Sequence, residues 1–273
     1  MKSDTTRLRL LGELQEQTLD LNTIHEVGNA IFENRDHLQL FGLRPDQYSK
    51  LGISITGRTA IECVSDTDAR SMATAVSQVL QQAKIQAEPV VLDLFAGSGN
   101  LLFHVATQLN TRRNIGFESN KIIFAHLKNN FAQIRFPALL ENDHFEASLP
   151  KINLPTSQPL VVIIDPPWED AFSFQHGLNL QATHPPIKQV MQFIRQIVPS
   201  PDIFCVVKTF ELMNENGVAE AFRNSTLCHR AVSTYMKPGL NVGWIICRLP
   251  NETRRHPGLP NQTNRRNDHP PIN

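Results

Sequence analysis

Val90–Val–Leu–Asp–Leu–Phe–Ala–Gly–Ser–Gly–Asn100 is the stretch that decides how the chain is read. An apolar run ends in a turn carrying two glycines, and Leu101–Leu–Phe–His–Val–Ala106 resumes with helical spacing, which predicts strand, tight turn and helix in succession. Gly97 and Gly99 lack a Cβ, so the backbone there can turn sharply and approach a ligand closely, with the free N–H groups of the next helix pointing the same way. About 20 residues further on, Asn114–Ile–Gly–Phe–Glu118 is a second short strand closed by an acid, where a carboxylate can receive ribose hydroxyls. Asp93 lies inside the first strand, and the third glycine of the dinucleotide fingerprint G-x-G-x-x-G is absent.

Outward from this point, strands alternate with helical stretches, the pattern of a parallel sheet covered by helices on both faces. Asn120–Gln133 has helical periodicity, and a weakly patterned stretch around Ala138–Leu140 predicts a third strand ending near Asn142–Asp143. Leu160–Ile164 is a fully apolar strand, Ile187–Val198 a helix, Asp202–Lys208 a strand and Glu215–Phe222 a helix. Cys228–Met236 and Val242–Leu249 are joined by so few residues that they must pair antiparallel, since a parallel pair needs a crossover of about a dozen. Before the sheet, residues 1–50 carry apolar positions at helical spacing and predict two or three helices. Ile53–Glu62 reads as a short strand, and Ser65 and Asp66 can cap a helix running to about Ala83. This region, 1–85, serves either as a substrate lid or as packing against the sheet, and packing is the simpler reading. After Pro250 the sequence turns to Asn, Arg, His and Pro, the composition of a disordered tail over 251–273.

The second informative stretch is Ile163–Ile–Asp–Pro–Pro–Trp–Glu–Asp170, which falls at the carboxyl end of the most apolar strand, where open α/β sheets place their ligands. Asp165 and the carbonyl of Pro166 are acceptors for the hydrogens of an amine. Pro166 and Pro167 fix φ and end the strand, and Trp168 offers a flat face to a planar substrate, worth about 1–3 kcal/mol per stacked base. An exocyclic amine on a planar system is a poor nucleophile because its lone pair is delocalised. A site that orients the amine needs acceptors more than it needs a strong base.

The two stretches together resemble motif I and motif IV, D-P-P-[YFW], of the class I S-adenosylmethionine (SAM) methyltransferases that act on amino nitrogen. The resemblance implies an α/β fold with a seven-stranded Rossmann-like sheet ending in an antiparallel hairpin over residues 86–250, behind the mostly helical extension 1–85, with SAM as cofactor. It implies cofactor contacts from Asp93, Gly97 and Gly99, and from Glu118 to the ribose. Asp143 would contact the adenine amine, and Phe95 and Asn100 beside the turn are counted with the cofactor-binding residues, although a phenylalanine at that place is more often core than contact. Asp165, Pro166, Pro167 and Trp168 carry the chemistry. Within the group, the trimethylguanosine-synthase type of RNA N-methyltransferase is most similar, from which this chain departs by a motif I one glycine shorter, by Asp165 in place of serine and by Glu169–Asp170 in place of glycines. The implied reaction is methyl transfer to an amino nitrogen conjugated to a planar system, with RNA favoured. The alternatives are a protein, peptide or small-molecule amine, and a non-catalytic subunit that binds SAM or RNA. Gly-x-Gly-Asn100 is also similar to the uracil-C5 RNA methyltransferases, which need a nucleophilic cysteine at a strand end, whereas Cys205 sits in mid-strand among apolar neighbours and reads as a buried, inert thiol.

Composition bounds the rest. Lys and Arg total 26, as do Asp and Glu, so the formal net charge is zero and no overall field draws the 273-residue chain to nucleic acid or membrane. RNA is an allowed partner that the charge does not require. Four scattered cysteines suit a reducing compartment, no apolar run reaches the ~18 residues of a membrane span, and His176 and His184 lack metal-ligand spacing. These features predict a cytoplasmic, soluble protein without a metal, and leave the oligomeric state open.

Overall fold

The computed structural model describes residues 2–173, 175–198, 200–234 and 241–250; the tail expected over 251–273 lies outside them. The helical spacing of the opening segment produces α1 (Lys2–Leu11), α2 (Leu21–Phe32) and α3 (Pro45–Lys50), with Leu10, Ile24, Val27 and Ile31 buried. The strand expected over 53–62 is not formed. Ile53 and Ile55 are buried in an extended lead-in, and the chain then turns into α4 (Gly57–Glu62). Local capping overrides the β-branched composition: Thr56 Oγ1 accepts from the N–H of Thr59, and the Thr59 hydroxyl accepts from the N–H of Thr56 at 2.8 Å. Gly57 also lies so close to the turn after α1 that a Cβ would stand 2.3 Å from the Leu14 carbonyl oxygen. The expected capped helix follows as α5 (Asp66–Gln82), Ser65 accepting from the Asp68 N–H.

β1 (Val90–Asp93), α6 (Asn100–Leu109), β2 (Asn114–Phe117), α7 (Lys121–Gln133) and β3 (Leu139–Glu141) form the first parallel half of the sheet. After α8 (Phe145–Ser148), β4 (Leu160–Ile164) returns to the other side of β1. A two-stranded ribbon, β5 (Phe172–Ser173) and β6 (Gly177–Leu178), occupies the loop after β4. α9 (Ile187–Ile197), β7 (Ile203–Phe210), α10 (Glu215–Ala221), β8 (Thr226–Val232) and β9 (Val242–Leu249) complete the order β3-β2-β1-β4-β7-β9-β8. β9 pairs antiparallel with β8, as the short joint between them requires, and also with β7. The direction of strand addition reverses between β1 and β4, and a crevice at the carboxyl ends of these strands is where such sheets hold ligands.

Alternation along the strands gives the sheet two buried faces. Val90, Leu92, Val162, Ile164, Cys205 and Val207 pack under α8, α9 and α10. Val91, Val161, Ile163, Phe204, Val206 and Ile246 share one cluster with α6, α7 and the helices before residue 85. All four cysteines are free thiols; Cys205 and Cys247, opposite each other on β7 and β9, are fully buried, as the mid-strand reading of Cys205 required.

Candidate functional site

The glycine turn is shaped by two different demands. Gly99, at φ +81°, precedes α6, and a Cβ there would stand 2.5 Å from Leu127 Cδ1 and Phe131 Cε1. Only glycine lets α7 pack this close. Gly97, at φ +50°, faces open space, a Cβ meeting nothing nearer than the Phe95 carbonyl at 3.9 Å. Its N–H donates to Glu118 Oε2 at 3.1 Å, while Glu118 Oε1 accepts from the Asn120 N–H at 2.8 Å, so the acid at the end of β2 is held against the turn. Burial pushes the Glu118 carboxyl up, against the pull of those N–H groups. Asp93 is 2 % exposed and, among the described residues, accepts only from the Phe95 N–H, at 3.2 Å; burial pushes its carboxyl up to about 8.

Along the same face, β4 ends at Asp165. Its Oδ2 accepts from Lys208 Nζ at 2.6 Å, and Lys208 also donates to the Glu62 carbonyl at 2.9 Å and lies 4.9 Å from the centre of the Trp168 ring. Burial raises the Asp165 carboxyl, and the ammonium partly offsets this. Asp165 Oδ1 has no hydrogen-bond partner among the described residues. Trp168 leans on Phe172 at 5.6 Å and Phe210 at 6.0 Å, and Lys208 lies over one of its faces. Pro166 is buried and Pro167 half-buried. Arg58 reaches from α4 to Glu62 at 2.8 Å and Glu169 at 3.8 Å, and Glu16 accepts from Asn120 at 3.0 Å, so segments before residue 63 roof the crevice.

The other sequence candidates occupy these places. Phe95 packs edge-on against Phe145 at 5.4 Å, at the margin of the core. Asn100 is buried beneath the turn, Oδ1 accepting from the Phe41 N–H at 2.8 Å and Nδ2 donating to the Val64 carbonyl at 2.9 Å, which ties α6 to the N-terminal segment. Asp143 stands past the end of β3, Oδ1 accepting from the His144 N–H at 2.8 Å and Oδ2 from the Ser148 hydroxyl at 3.0 Å, bonds that lower its carboxyl. In the sequence Lys208 reads equally as a strand-end lysine in solvent and as a cation meeting the substrate. It is 8 % exposed inside β7, and the signal for burial is parity, because Phe204, Val206 and Lys208 share one face of a strand that runs on to Phe210. Arg58 and Glu62 are hidden from sequence reasoning by the expected strand over 53–62. No cluster of metal-ligating side chains occurs among the described residues.

The residues fit a cationic nucleoside cofactor: open space over Gly97, a carboxylate at Glu118 held by two N–H groups, and a buried carboxylate at Asp93 that forms no salt bridge among the described residues. The family model described as conserved hypothetical protein 95 matches residues 61–220, more than half of the chain. The chain belongs to this family. It is a SAM-dependent methyltransferase of class I, with SAM as cofactor. No curated protein matches the chain. Among solved structures it is similar to yhhF of Escherichia coli, assigned as a methyltransferase (16 % identity over 67 % of this chain and 87 % of that one, TM-score 0.46). It is also similar to a Listeria monocytogenes protein assigned as a class I SAM-dependent methyltransferase (12 %, 91 % and 89 %, TM-score 0.48). A third is the tRNA (uracil-54, C5)-methyltransferase of Pyrococcus abyssi, solved with S-adenosylhomocysteine (17 %, 64 % and 38 %, TM-score 0.39). No helix of the described residues is long and apolar enough to cross a membrane.

Proposed function

We propose that this methyltransferase acts on an amino nitrogen conjugated to a planar system, a nucleic-acid base in RNA being the favoured acceptor. The observation that carries the reading is Asp165, at the end of β4, with Oδ2 fixed by Lys208 and Oδ1 left for a substrate, beside Trp168. Asp93, Gly97, Glu118 and Asp143 would hold the cofactor along the ends of β1, β2 and β3. When bound, the cofactor supplies a methyl group activated by its sulfonium.

The chain's own residues then orient the acceptor. Asp165 Oδ1 and the Pro166 carbonyl accept the two amino hydrogens, which turns the nitrogen lone pair out of conjugation. The ring face of Trp168 opposite Lys208 stacks on the base. Positioning supplies the rate, and the proton released from nitrogen passes by way of the carboxylate to water. The same acceptor pair serves the trimethylguanosine-synthase type of reaction, with a carboxylate where that type has serine. A second reading, a protein, peptide or small-molecule amine, is favoured by the exposed acids Glu169 and Asp170 at the mouth, which repel phosphate.

The test is methyl transfer from labelled SAM to RNA purified from a strain lacking this protein. Asp165→Ala should bind S-adenosylhomocysteine as the wild type does and lose transfer by about a hundredfold or more. Full transfer by that variant would refute the role of Asp165, and label that survives nuclease treatment would move the substrate to a protein or metabolite.

A further inference from the structure

We infer that Lys208 is a positioning residue of the methyl-transfer site: its ammonium sets Asp165 and Trp168 relative to each other and fastens both to the end of α4. The inference rests on the reading of Asp165 as the acceptor for the substrate amine.

Lys208 emerges from β7, next to β4, and a lysine at 8 % exposure must satisfy its charge within the protein. It does so on three sides: Asp165 Oδ2 at 2.6 Å, the Glu62 carbonyl at 2.9 Å and the face of Trp168 at 4.9 Å. The Asp165 carboxylate is thereby pinned by one oxygen, and its other oxygen is the one a substrate can use. The ring that would stack on the base has one face committed to the cation, so a planar substrate is restricted to the opposite face. The Glu62 carbonyl ends α4, the same short helix from which Arg58 reaches Glu169, so the Asp165–Trp168 turn is referenced to the N-terminal segment as well as to the sheet. Without the ammonium, Asp165 would be a buried carboxylate among Asp93 from β1 and Glu62 and Cys63 from the end of α4, none of which is a cation. It would then take up a proton and lose an acceptor lone pair.

The experiment compares wild type, Lys208→Met and Lys208→Arg in a Trp244→Phe background, where Trp168 is the only indole. Asp165 is titrated by carboxyl-carbon NMR, Trp168 emission is recorded, S-adenosylhomocysteine affinity is measured, and the pH profile of transfer to RNA is taken. For Lys208→Met the expected results are an Asp165 midpoint raised by about 1–3 units, a shifted indole emission, and an acid limb of the transfer profile moved up in pH by the same amount. Cofactor affinity should change less than about threefold, because the lysine faces the substrate side. Lys208→Arg should restore the midpoint. An Asp165 midpoint and Trp168 emission unchanged in Lys208→Met would overturn the inference.

If Lys208→Met fails to fold, Asp165→Asn reads the same contact from its other end. A shifted Lys208 Nζ resonance and indole emission would support the inference, and unchanged ones would refute it. Failure of the functional reading looks different: the Lys208 variants move Asp165 and Trp168 as expected, while Asp165→Ala still transfers methyl groups at the wild-type rate.

Discussion

Replacing Asp93 by asparagine should make the unliganded protein more stable at neutral pH. Asp93 is 2 % exposed on a central strand, with one N–H donor and no cation in contact, and its carboxyl is pushed up to about 8. In the unfolded chain an aspartate titrates near about 3.9. Between those two values the native state holds one more proton than the unfolded state, so unfolding free energy falls as pH rises, by about 1.4 kcal/mol per unit. From pH 5 to pH 7 the loss is about 2–3 kcal/mol, a large part of a typical stability of about 5–15 kcal/mol. The amide of Asp93→Asn has no proton to lose and keeps an acceptor for the Phe95 N–H. The assay is urea unfolding of both proteins at pH 5, 6 and 7, followed by tryptophan emission, taking the difference at each pH so that other titrating groups cancel. The Asp93→Asn variant should gain on the wild type by about 1.4 kcal/mol for each unit of pH. A difference that stays flat within about 0.5 kcal/mol would refute the argument, since a slope requires only that the native carboxyl titrate well above the unfolded one.

The two glycines of the turn should separate in their effects. Gly99→Ala adds a Cβ against Leu127 and Phe131 at positive φ and should lower stability by about 2–4 kcal/mol in a thermal melt. Gly97→Ala meets open space, so it should lower stability by only about 1 kcal/mol while weakening S-adenosylhomocysteine binding measured by calorimetry. Asn100→Ala strips partners from the Phe41 N–H and the Val64 carbonyl and should lower stability by about 2–3 kcal/mol, with faster amide exchange at Phe41.

Most of the sheet was legible because each strand is short, apolar and bounded by turn residues, and because the joint between β8 and β9 leaves room only for an antiparallel pair. The acids at the ends of β1, β2 and β4 stood out for a related reason: Asp93, Glu118 and Asp165 interrupt or close apolar runs. What was not legible came from contacts distant in sequence. The turn into α4 depends on Gly57 fitting against Leu14, and no local pattern announces that fit. Lys208 looked like a charge leaving a strand because the strand's end was set two residues early. Asn100, read beside the glycines as a ligand group, spends its hydrogen bonds on Phe41 and Val64, which the sequence places far from it.

Asp93, Asp165 and Lys208 lie on the sheet face that the helices before residue 85 cover. That segment is therefore the medium in which the site's acids titrate. Its removal or replacement would admit water to this face and return the carboxyls toward their ordinary values. Two relatives could then carry identical residues at the strand ends and differ in the pH at which they work, because the acidity is set in part by the helical cover packed over that face.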